Sequence, residues 1–308
     1  MPKPKKYNMT DAEVSDMKLI SANRVLVCIT QKNVDRVTPS GILMVSPTDT
    51  DWQPEVHADR WGEVVQIPNQ LKREKTHLWN TDIDIQVGDT IWWDMMVSEN
   101  ADTITTETNT YLLLDYFSLH VVKRGDKVIP LNGYSMFTLV SDESKSEFAI
   151  KTGKKDARYG TLKYKAEINE YYFDELTDDD SVQVGDKCIF RNPPVLLESE
   201  YHAVFDGKEQ YRISQLYNIV AYVRDDKLYP TVNHVIIEPD IPTHTKRGIE
   251  IPAPFRKPSG YGRVYDSGYH EIKDGDEVFY PPPACVTIEH DNKKLHIIHY
   301  NSIIWYRR

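Results

Sequence analysis

Alternation of apolar and polar residues begins three times directly after a Gly-Asp pair. The copies start at Gly88-Asp89, Gly185-Asp186 and Gly275-Asp276 and continue as Thr90-Ile91-Trp92, Lys187-Cys188-Ile189 and Glu277-Val278-Phe279. The glycines recur at intervals of 97 and 90 residues, which is the length of a small domain and too long for a solenoid unit. The pattern therefore predicts one small β fold carried three times, with the Gly-Asp pairs as its structural turns.

Three further landmarks keep the same order around each turn. The chain repeats a first strand after Lys18, Lys127 and Lys227, an aromatic-glycine strand at Trp61-Gly62, Tyr159-Gly160 and Tyr261-Gly262, and a closing segment with an internal polar turn at 111–124, 211–224 and 296–308. Glycine beside a large aromatic residue in a strand often marks a bend or a close backbone approach. Short strands separated by turns predict a small barrel or sandwich.

The domain organisation follows from these landmarks. Boundaries are expected at the short polar junctions Gly125-Asp126 and Asp225-Asp226. Thr10 and Glu13 form a capping-box pattern, the one good helix start in the chain. We therefore predict an all-β protein: a tail and short helix over residues 1–17, and three barrels over 18–125, 126–225 and 226–308.

Composition supports a β-rich core and limits the function. Hydrophobic residues make up 40% of the chain and 19 residues are Tyr, which favours half-buried pleated surfaces. The net charge of −10 argues against non-specific DNA binding, which needs a basic surface. Lys3, Lys5 and Lys6 are interrupted by prolines and indicate a flexible tail rather than a nucleic-acid arm.

The cysteines and the hydropathy indicate a compartment. Cys28, Cys188 and Cys285 fall one per repeat without a C-x-x-C pair, which predicts reduced, buried thiols. No apolar stretch approaches the ~18 residues of a membrane span, and the N-terminus lacks the apolar core of a signal peptide. We expect a protein that is kept inside a cell or packed into a particle assembled there, and that is neither secreted nor in a membrane.

Sequence patterns for catalysis or metal binding are weak. Gly260, Gly262 and Gly268 lack the spacing of a dinucleotide-binding turn. His296 and His299 are three apart on a predicted strand and face opposite sides, which makes them poor co-ligands. The acidic run 178–180 lacks the alternate-residue pattern of a calcium loop. We therefore expect no enzyme activity, no cofactor and no metal site.

The order of elements carries a family resemblance, which is clearest in repeat one. That repeat contains Arg24-Val25-Leu26-Val27, Ser40-Gly41-Ile42-Leu43-Met44, Gly62-Glu63-Val64-Val65 and Val87-Gly88-Asp89. This order resembles the GroES family of co-chaperonins, whose subunit is a single irregular β-barrel. The resemblance covers residues 18–308 as three diverged copies, and it implies three tandem GroES-like barrels.

The resemblance also implies a docking loop, because an apolar tripeptide in the family's mobile loop binds the chaperonin. Carried over, the candidates in repeat one are Gly41, Ile42, Leu43 and Met44, which could equally form a second core strand. Repeat three offers Ile249 and Ile251 with a charge between them, and repeat two offers 148–150 without the glycine. For these two repeats a core strand is the favoured interpretation.

Two departures from the family argue against a simple lid. The segment between the aromatic-glycine strand and the Gly-Asp turn shortens in repeat three, so that barrel lacks most of its roof. A chaperonin lid has seven barrels, whereas chains of three barrels suit threefold or sixfold homo-oligomers. The leading hypothesis is a structural protein docked through its barrels to protein partners in a larger particle, for example a bacteriophage capsid-associated auxiliary protein. The alternative is a co-chaperonin that caps a folding chamber through the loop of barrel one.

Overall fold

The structure, a computed structural model, describes residues 4–19, 22–29, 36–37, 43–44, 60–72, 81–139, 158–167, 179–192, 195–196, 211–245 and 247–308. Strands dominate this part of the chain, so the all-β prediction is confirmed. The helices of these described residues are α1 (Asp11–Asp16) and α2 (Met95–Asn100), with 3₁₀ turns at Tyr116–Ser118, Leu216–Asn218, Ala253–Phe255, Pro282–Ala284 and Tyr300–Ser302.

The strands group by repeat. Repeat one has β1 (Lys6–Asn8), β2 (Arg24–Ile29), β3 (Arg36–Val37), β4 (Leu43–Met44), β5 (Trp61–Gln66), β6 (Thr90–Trp93), β7 (Asp102–Thr105), β8 (Thr110–Asp115) and β9 (Leu119–Arg124). Repeat two has β10 (Lys127–Pro130), β11 (Tyr134–Leu139), β12 (Tyr159–Tyr164), β13 (Lys187–Phe190), β14 (Val195–Leu196), β15 (Tyr211–Gln215) and β16 (Ile219–Arg224). Repeat three has β17 (Lys227–Pro230), β18 (His234–Pro239), β19 (Tyr261–Ser267), β20 (Glu277–Phe279), β21 (Val286–His290), β22 (Lys293–His299) and β23 (Trp305–Arg307).

One order of neighbouring strands recurs in the repeats. In repeat one it is β7–β8–β2–β5–β6–β9, and in repeat three it is β21–β22–β18–β19–β20–β23. Repeat two has the neighbours β14–β15–β11 and β12–β13–β16 in the corresponding positions. Among the described residues no pairing joins the two ends of any sheet, so the sheets are open and the predicted barrel closure is not observed.

The described residues pack into two compact units. Unit 1 takes them from Met1–Thr138, Tyr164–Glu175 and Val195–Ser214, and unit 2 from Leu139–Lys163, Leu176–Pro194 and Gln215–Arg308. The predicted junctions at 125–126 and 225–226 are tight turns inside the hairpins β9–β10 and β16–β17. The three-domain division stays a prediction.

The Gly-Asp turns have one geometry in all three repeats. Gly88, Gly185 and Gly275 have φ of 90°, 99° and 88°, a left-handed conformation that favours glycine. The aspartate that follows is buried and accepts a hydrogen bond from the backbone N–H three residues earlier, at 2.7, 2.7 and 2.9 Å. The glycine N–H donates to the aromatic-glycine strand at 2.8 Å in each copy. These bonds tie the turn to the neighbouring strand.

A buried aromatic residue follows each turn four positions after the aspartate. Trp93, Phe190 and Tyr280 are fully buried, and their backbone N–H groups donate to Arg60, Arg158 and Gly260. Burying a ring of this size is among the largest single gains available to a small core. Each Gly-Asp turn therefore leads directly into a strand with a fully buried ring, which is why the short pair is a reliable marker of each repeat.

The aromatic-glycine strands approach a neighbouring backbone closely, as predicted. A Cβ added at Gly62 would lie 2.5 Å from the carbonyl oxygen of Cys28 and 2.6 Å from Val27. At Gly262 it would lie 2.5 Å from Ile237 and 2.7 Å from the oxygen of Glu238. In both repeats a register shift sits at this crossing.

The N-terminal segment departs from the expectation of a flexible tail. Helix α1 is confirmed with both hydrogen bonds of the capping box between Thr10 and Glu13. Lys6, however, lies in β1, which pairs in parallel with β7, and the N–H of Lys5 donates to Asp102 at 2.8 Å. Sheet pairing therefore orders Lys5 and Lys6. The prolines between the lysines in the sequence could not indicate this pairing.

Helix α2 was not predicted from the sequence. Asp94 caps its start, and the indole N–H of Trp93 donates to Ser98 at 2.6 Å. The three cysteines are free, as predicted; Cys188 is buried, while Cys28 and Cys285 are half-buried.

Candidate interaction surface

The predicted docking residues of repeat one lie only partly in the described structure. Gly41 and Ile42 fall outside the described residues, as do residues 148–150 of repeat two. Leu43 and Met44 form β4, which pairs with Val37 and Arg36. This pairing is compatible with either the loop or the core-strand interpretation.

The docking candidates of repeat three lie on a loop. Ile249 is 65% exposed, whereas Ile251 is half-buried and its N–H donates to Thr243 at 2.7 Å. A bridge between His244 and Glu250 closes the loop. Ile249 therefore projects from the loop, while Ile251 is held against it.

Chemical groups that could act on a substrate are dispersed. Within the described ranges no three or more His, Cys, Asp or Glu side chains lie close enough to hold a metal ion. His296 is buried and bonds Tyr280 at 2.8 Å, whereas His299 caps the 3₁₀ turn at Asn301. No helix in the described part of the chain is long and apolar enough to cross a membrane.

A polar groove in unit 1 holds charges of both signs. Its volume is about 590 Å³, and its lining includes Asp82, Asp84, Arg124, Lys165 and Glu167. Burial and the nearby Glu167 and Asp82 raise the pKa of Asp84, and Arg124 opposes them. Because both signs of charge line the groove, its lining does not favour a ligand of either charge.

A row of three apolar residues crosses each repeat on one face of its sheet. In repeat one, Trp61 pairs with Trp92, which pairs with Val121. The same registers place Tyr159, Ile189 and Ala221 at these positions in repeat two, and Tyr261, Phe279 and Trp305 in repeat three. The cross-strand pairs make these rows equivalent, and we call each the row of its repeat.

The row of repeat one is covered inside unit 1. Trp92 and Val121 are buried in a cluster with three residues of β11 and β15: Met136, Tyr211 and Ile213. Trp61 packs against the same cluster from its margin.

The row of repeat two is covered in the same way inside unit 2. Ile189 and Ala221 are buried in a cluster with Ile236 of β18 and with Leu295 and Ile297 of β22. Tyr159 packs at its margin, in the position of Trp61. Each of these rows is therefore buried under the β sheet of the following repeat.

The row of repeat three is exposed. Tyr261 is 48% and Trp305 41% exposed, whereas Val121 and Ala221, which occupy the position of Trp305, are fully buried. The ring centroids lie 4.9 Å apart for Tyr261 and Phe279 and 6.0 Å apart for Phe279 and Trp305. The three rings thus form one continuous aromatic surface.

Known proteins do not identify this surface. No family model and no curated protein sequence matches the chain. The geometry of the repeats is therefore what distinguishes the aromatic row from other exposed side chains.

The outer edge of repeat three is also open. In repeats one and two the closing strand pairs on its outer side with β10 and β17, where Val121 lies opposite Pro130 and Ala221 opposite Pro230. Strand β23 pairs with β20, and among the described residues no strand lies on its other side. An exposed strand edge beside an aromatic surface is a common feature of protein-binding sites.

Sequence reasoning did not find the aromatic row. Tyr261, Phe279 and Trp305 are far apart in the sequence, and only the strand register brings them together. Tyr261 and Phe279 belong to the repeated landmarks. The sequence does not reveal, however, that the equivalent residues of repeats one and two are buried while the row of repeat three is exposed.

Proposed function

We propose that this chain is a non-enzymatic structural protein that docks through the faces of its β sheets into a larger particle. A bacteriophage capsid-associated auxiliary protein is the leading example, found in the virion or the host cytoplasm. The observation that carries this proposal is the exposed row Tyr261–Phe279–Trp305, whose equivalents in the other two repeats are buried under a sheet.

The chemistry of the row favours a protein partner. Aromatic side chains offer large contact areas at low entropic cost, and Tyr and Trp are enriched at the centres of interfaces. Two such rows in this chain are covered by aliphatic and tyrosine side chains on a pair of adjacent strands. We therefore propose that the row binds a protein with a β-sheet face of the same chemistry, and that it binds neither nucleic acid nor a lipid membrane.

Fold class supports the same proposal at a coarser level. The repeated strand order supports three diverged copies of one β module, although the described sheets are open. We propose that this module is of the GroES-like type. A module used for docking needs a rigid sheet and a distinctive face, and it needs no arrangement of catalytic groups.

A co-chaperonin is the second candidate. It is favoured by Ile249, which projects 65% exposed from the loop of repeat three, and by the apolar sequence Ile42-Leu43-Met44 of repeat one. In this function the loops, rather than the aromatic row, bind a chaperonin ring.

The two functions are separated by binding assays with defined partners. We expect the chain to co-sediment with purified particles from its source, Trp305→Ser to weaken this at least tenfold, and Val184→Ser to have no effect. Val184 is a matched control because it is 60% exposed and lies outside the row. Particle binding that is equal in both variants contradicts the proposal. ATP-dependent refolding with a chaperonin, abolished by Leu43→Asp, establishes the co-chaperonin instead.

A further inference from the structure

The face that covers each row occupies equivalent positions in the repeats. In repeat three, Ile236 pairs with Ile297, and Leu295 lies two residues before Ile297 on β22. In repeat one, the same register gives Leu26 opposite Leu113, with Tyr111 in the position of Leu295. Met136, Ile213 and Tyr211 are the counterparts in repeat two. We call these three positions the receiving face of each repeat.

The receiving face of repeat one is covered by the N-terminal segment. Val14 of α1 is 2% exposed and is buried in one cluster with Leu26, Ile104 and Tyr111. The half-buried side chains of Met9, Met17 and Leu19 pack against this cluster. Residues 9–19 therefore lie where, in the other two repeats, an aromatic or aliphatic row lies.

This covering segment combines a short helix with anchors around it, since β1 pairs with β7 before the helix and the Thr108 hydroxyl donates to Asp11 at 2.9 Å. Helix α1 has six residues, of which Val14 is the buried one, and a helix this short is unstable by itself in water. Its other ties to repeat one include hydrogen bonds between Gln66 and the backbone of Met17 and Leu19, at 2.5 and 3.1 Å. The receiving face of repeat one, whose equivalents in the other repeats are covered by a β sheet, is thus covered by a six-residue helix and its flanking residues.

The exposed row and the covered face are complementary in chemistry. In unit 1, Trp61, Trp92 and Val121 pack on Met136, Tyr211 and Ile213. The row of repeat three is likewise made of three large apolar residues, all of them aromatic. The receiving face of repeat one is Leu26, Tyr111 and Leu113. The two surfaces therefore repeat an interface that this chain already forms.

We propose that α1 is a displaceable cap, and that the face it covers binds the aromatic row of a second copy of this chain. The inference rests on the proposed function of the row as a docking surface. The contact is heterologous, since one copy gives the row and the other gives the receiving face, so it generates closed rings or open filaments. While α1 is in place, the row of repeat three remains free for its particle partner.

The experiment measures the mass of full-length variants by sedimentation over a wide concentration range. Val14→Asp places a charge in the apolar cluster and should release the cap, raising the average mass about twofold or more over wild type. Ser15→Asp adds the same charge on the exposed side of α1 and should keep the wild-type mass. Val14→Asp combined with Trp305→Asp should also return to the wild-type mass.

A second variant guards against misfolding of Val14→Asp. Thr10→Ala with Glu13→Ala removes the capping box without placing a charge in the core, and it should raise the mass in the same direction. If both cap variants keep wild-type mass and wild-type circular dichroism, the inference is wrong. It is equally wrong if the association persists with Trp305→Asp.

The two proposals fail in distinguishable ways. If Trp305→Ser loses particle binding and neither cap variant associates, the inference about the cap is wrong and the proposed function is supported. Association of the cap variants, together with particle binding that ignores Trp305, overturns the proposed function and leaves self-association through the row.

Discussion

Arg124 binds Asp89 through two hydrogen bonds, from Nε to Oδ1 at 2.9 Å and from Nη2 to Oδ2 at 2.7 Å. Arg224 binds Asp186 in the same way, at 2.8 and 2.7 Å. In repeat three the strand register makes Arg308 the equivalent residue, and its Nη2 donates to the carbonyl of Glu271 at 3.1 Å. Asp276 is bonded there by the N–H of Lys273, and among the described residues no arginine bonds it.

We predict that Arg124→Ala lowers the free energy of unfolding by about 2 kcal/mol, because it leaves a buried carboxylate with too few donors. Urea unfolding at neutral pH measures this loss. Arg307→Ala is the control, since Arg307 pairs with Glu277 where both side chains are exposed, and it should cost less than about 1 kcal/mol. Equal losses in the two variants contradict the prediction.

The same ion pair should make the fold sensitive to acid. Burial raises the pKa of Asp89, but the hydrogen bonds from Arg124 and from the N–H of Gln86 outweigh it and hold the pKa below its usual value of 3.8. A carboxyl whose folded pKa is depressed contributes stability above its unfolded pKa and loses it as the pH falls through the folded pKa. We therefore expect this contribution to disappear below about pH 4.

Asp89→Asn tests the acid dependence directly. The variant should be less stable than wild type at pH 7, and the difference should shrink as the pH is lowered from 4 to 2. Unfolding curves at each pH give both values. A difference that stays constant over this range would show that the carboxylate charge is not responsible.

His120 should produce a separate pH dependence at milder acidity. Burial lowers its pKa to about 3, and its Nδ1 is buried with no hydrogen-bond partner among the described residues. The unfolded chain takes up the proton near pH 6.5 and the folded chain does not. This contribution to stability is therefore full above about pH 6.5 and is lost progressively towards pH 3.

We predict that His120→Phe reduces the loss of stability between pH 6.5 and pH 5 by about 2 kcal/mol. Phe keeps a ring against Tyr134, whose centroid lies 4.3 Å away, and removes the unbonded nitrogen. At pH 7 the variant should be at least as stable as wild type. His270→Phe is the control, because the His270 side chain is 81% exposed. If His120→Phe keeps the wild-type slope, the histidine is already protonated in the fold.

The sequence predicted the repeated order of elements because each landmark has a local cause. A glycine with positive φ, a buried aspartate and a capping box are all determined within four residues. The short segment before the third Gly-Asp turn could also be measured without a structure. The conformation at these positions can therefore be predicted directly from the residue types.

The interaction surface could not be predicted, because it depends on strand register. A shift of one residue moves every side chain to the opposite face of a sheet. The closing segment of repeat three contains both Arg307 and Arg308, and the sequence alone does not say which of them corresponds to Arg124. The pairing of Glu277 with Arg307 makes Arg308 the equivalent. Because Val121 lies three residues before Arg124, that single step decides that Trp305, and not Ile304, belongs to the aromatic row.

Gly62 provides a test of the close crossing between β2 and β5. A methyl group there would overlap the backbone oxygen of Cys28 at 2.5 Å and the side chain of Val27 at 2.6 Å, so the two strands would have to separate. We predict that Gly62→Ala costs about 2 to 3 kcal/mol in urea unfolding, the usual range for overpacking a core. Gly125→Ala is a suitable control, since it also replaces a glycine but has open space around it. Its φ of 59° lies in the left-handed region, so the control should cost about 1 kcal/mol from backbone strain alone. A loss in Gly62→Ala no larger than this would mean that the sheet yields at the register shift between Leu26 and Val27 and that the crossing is not tightly packed.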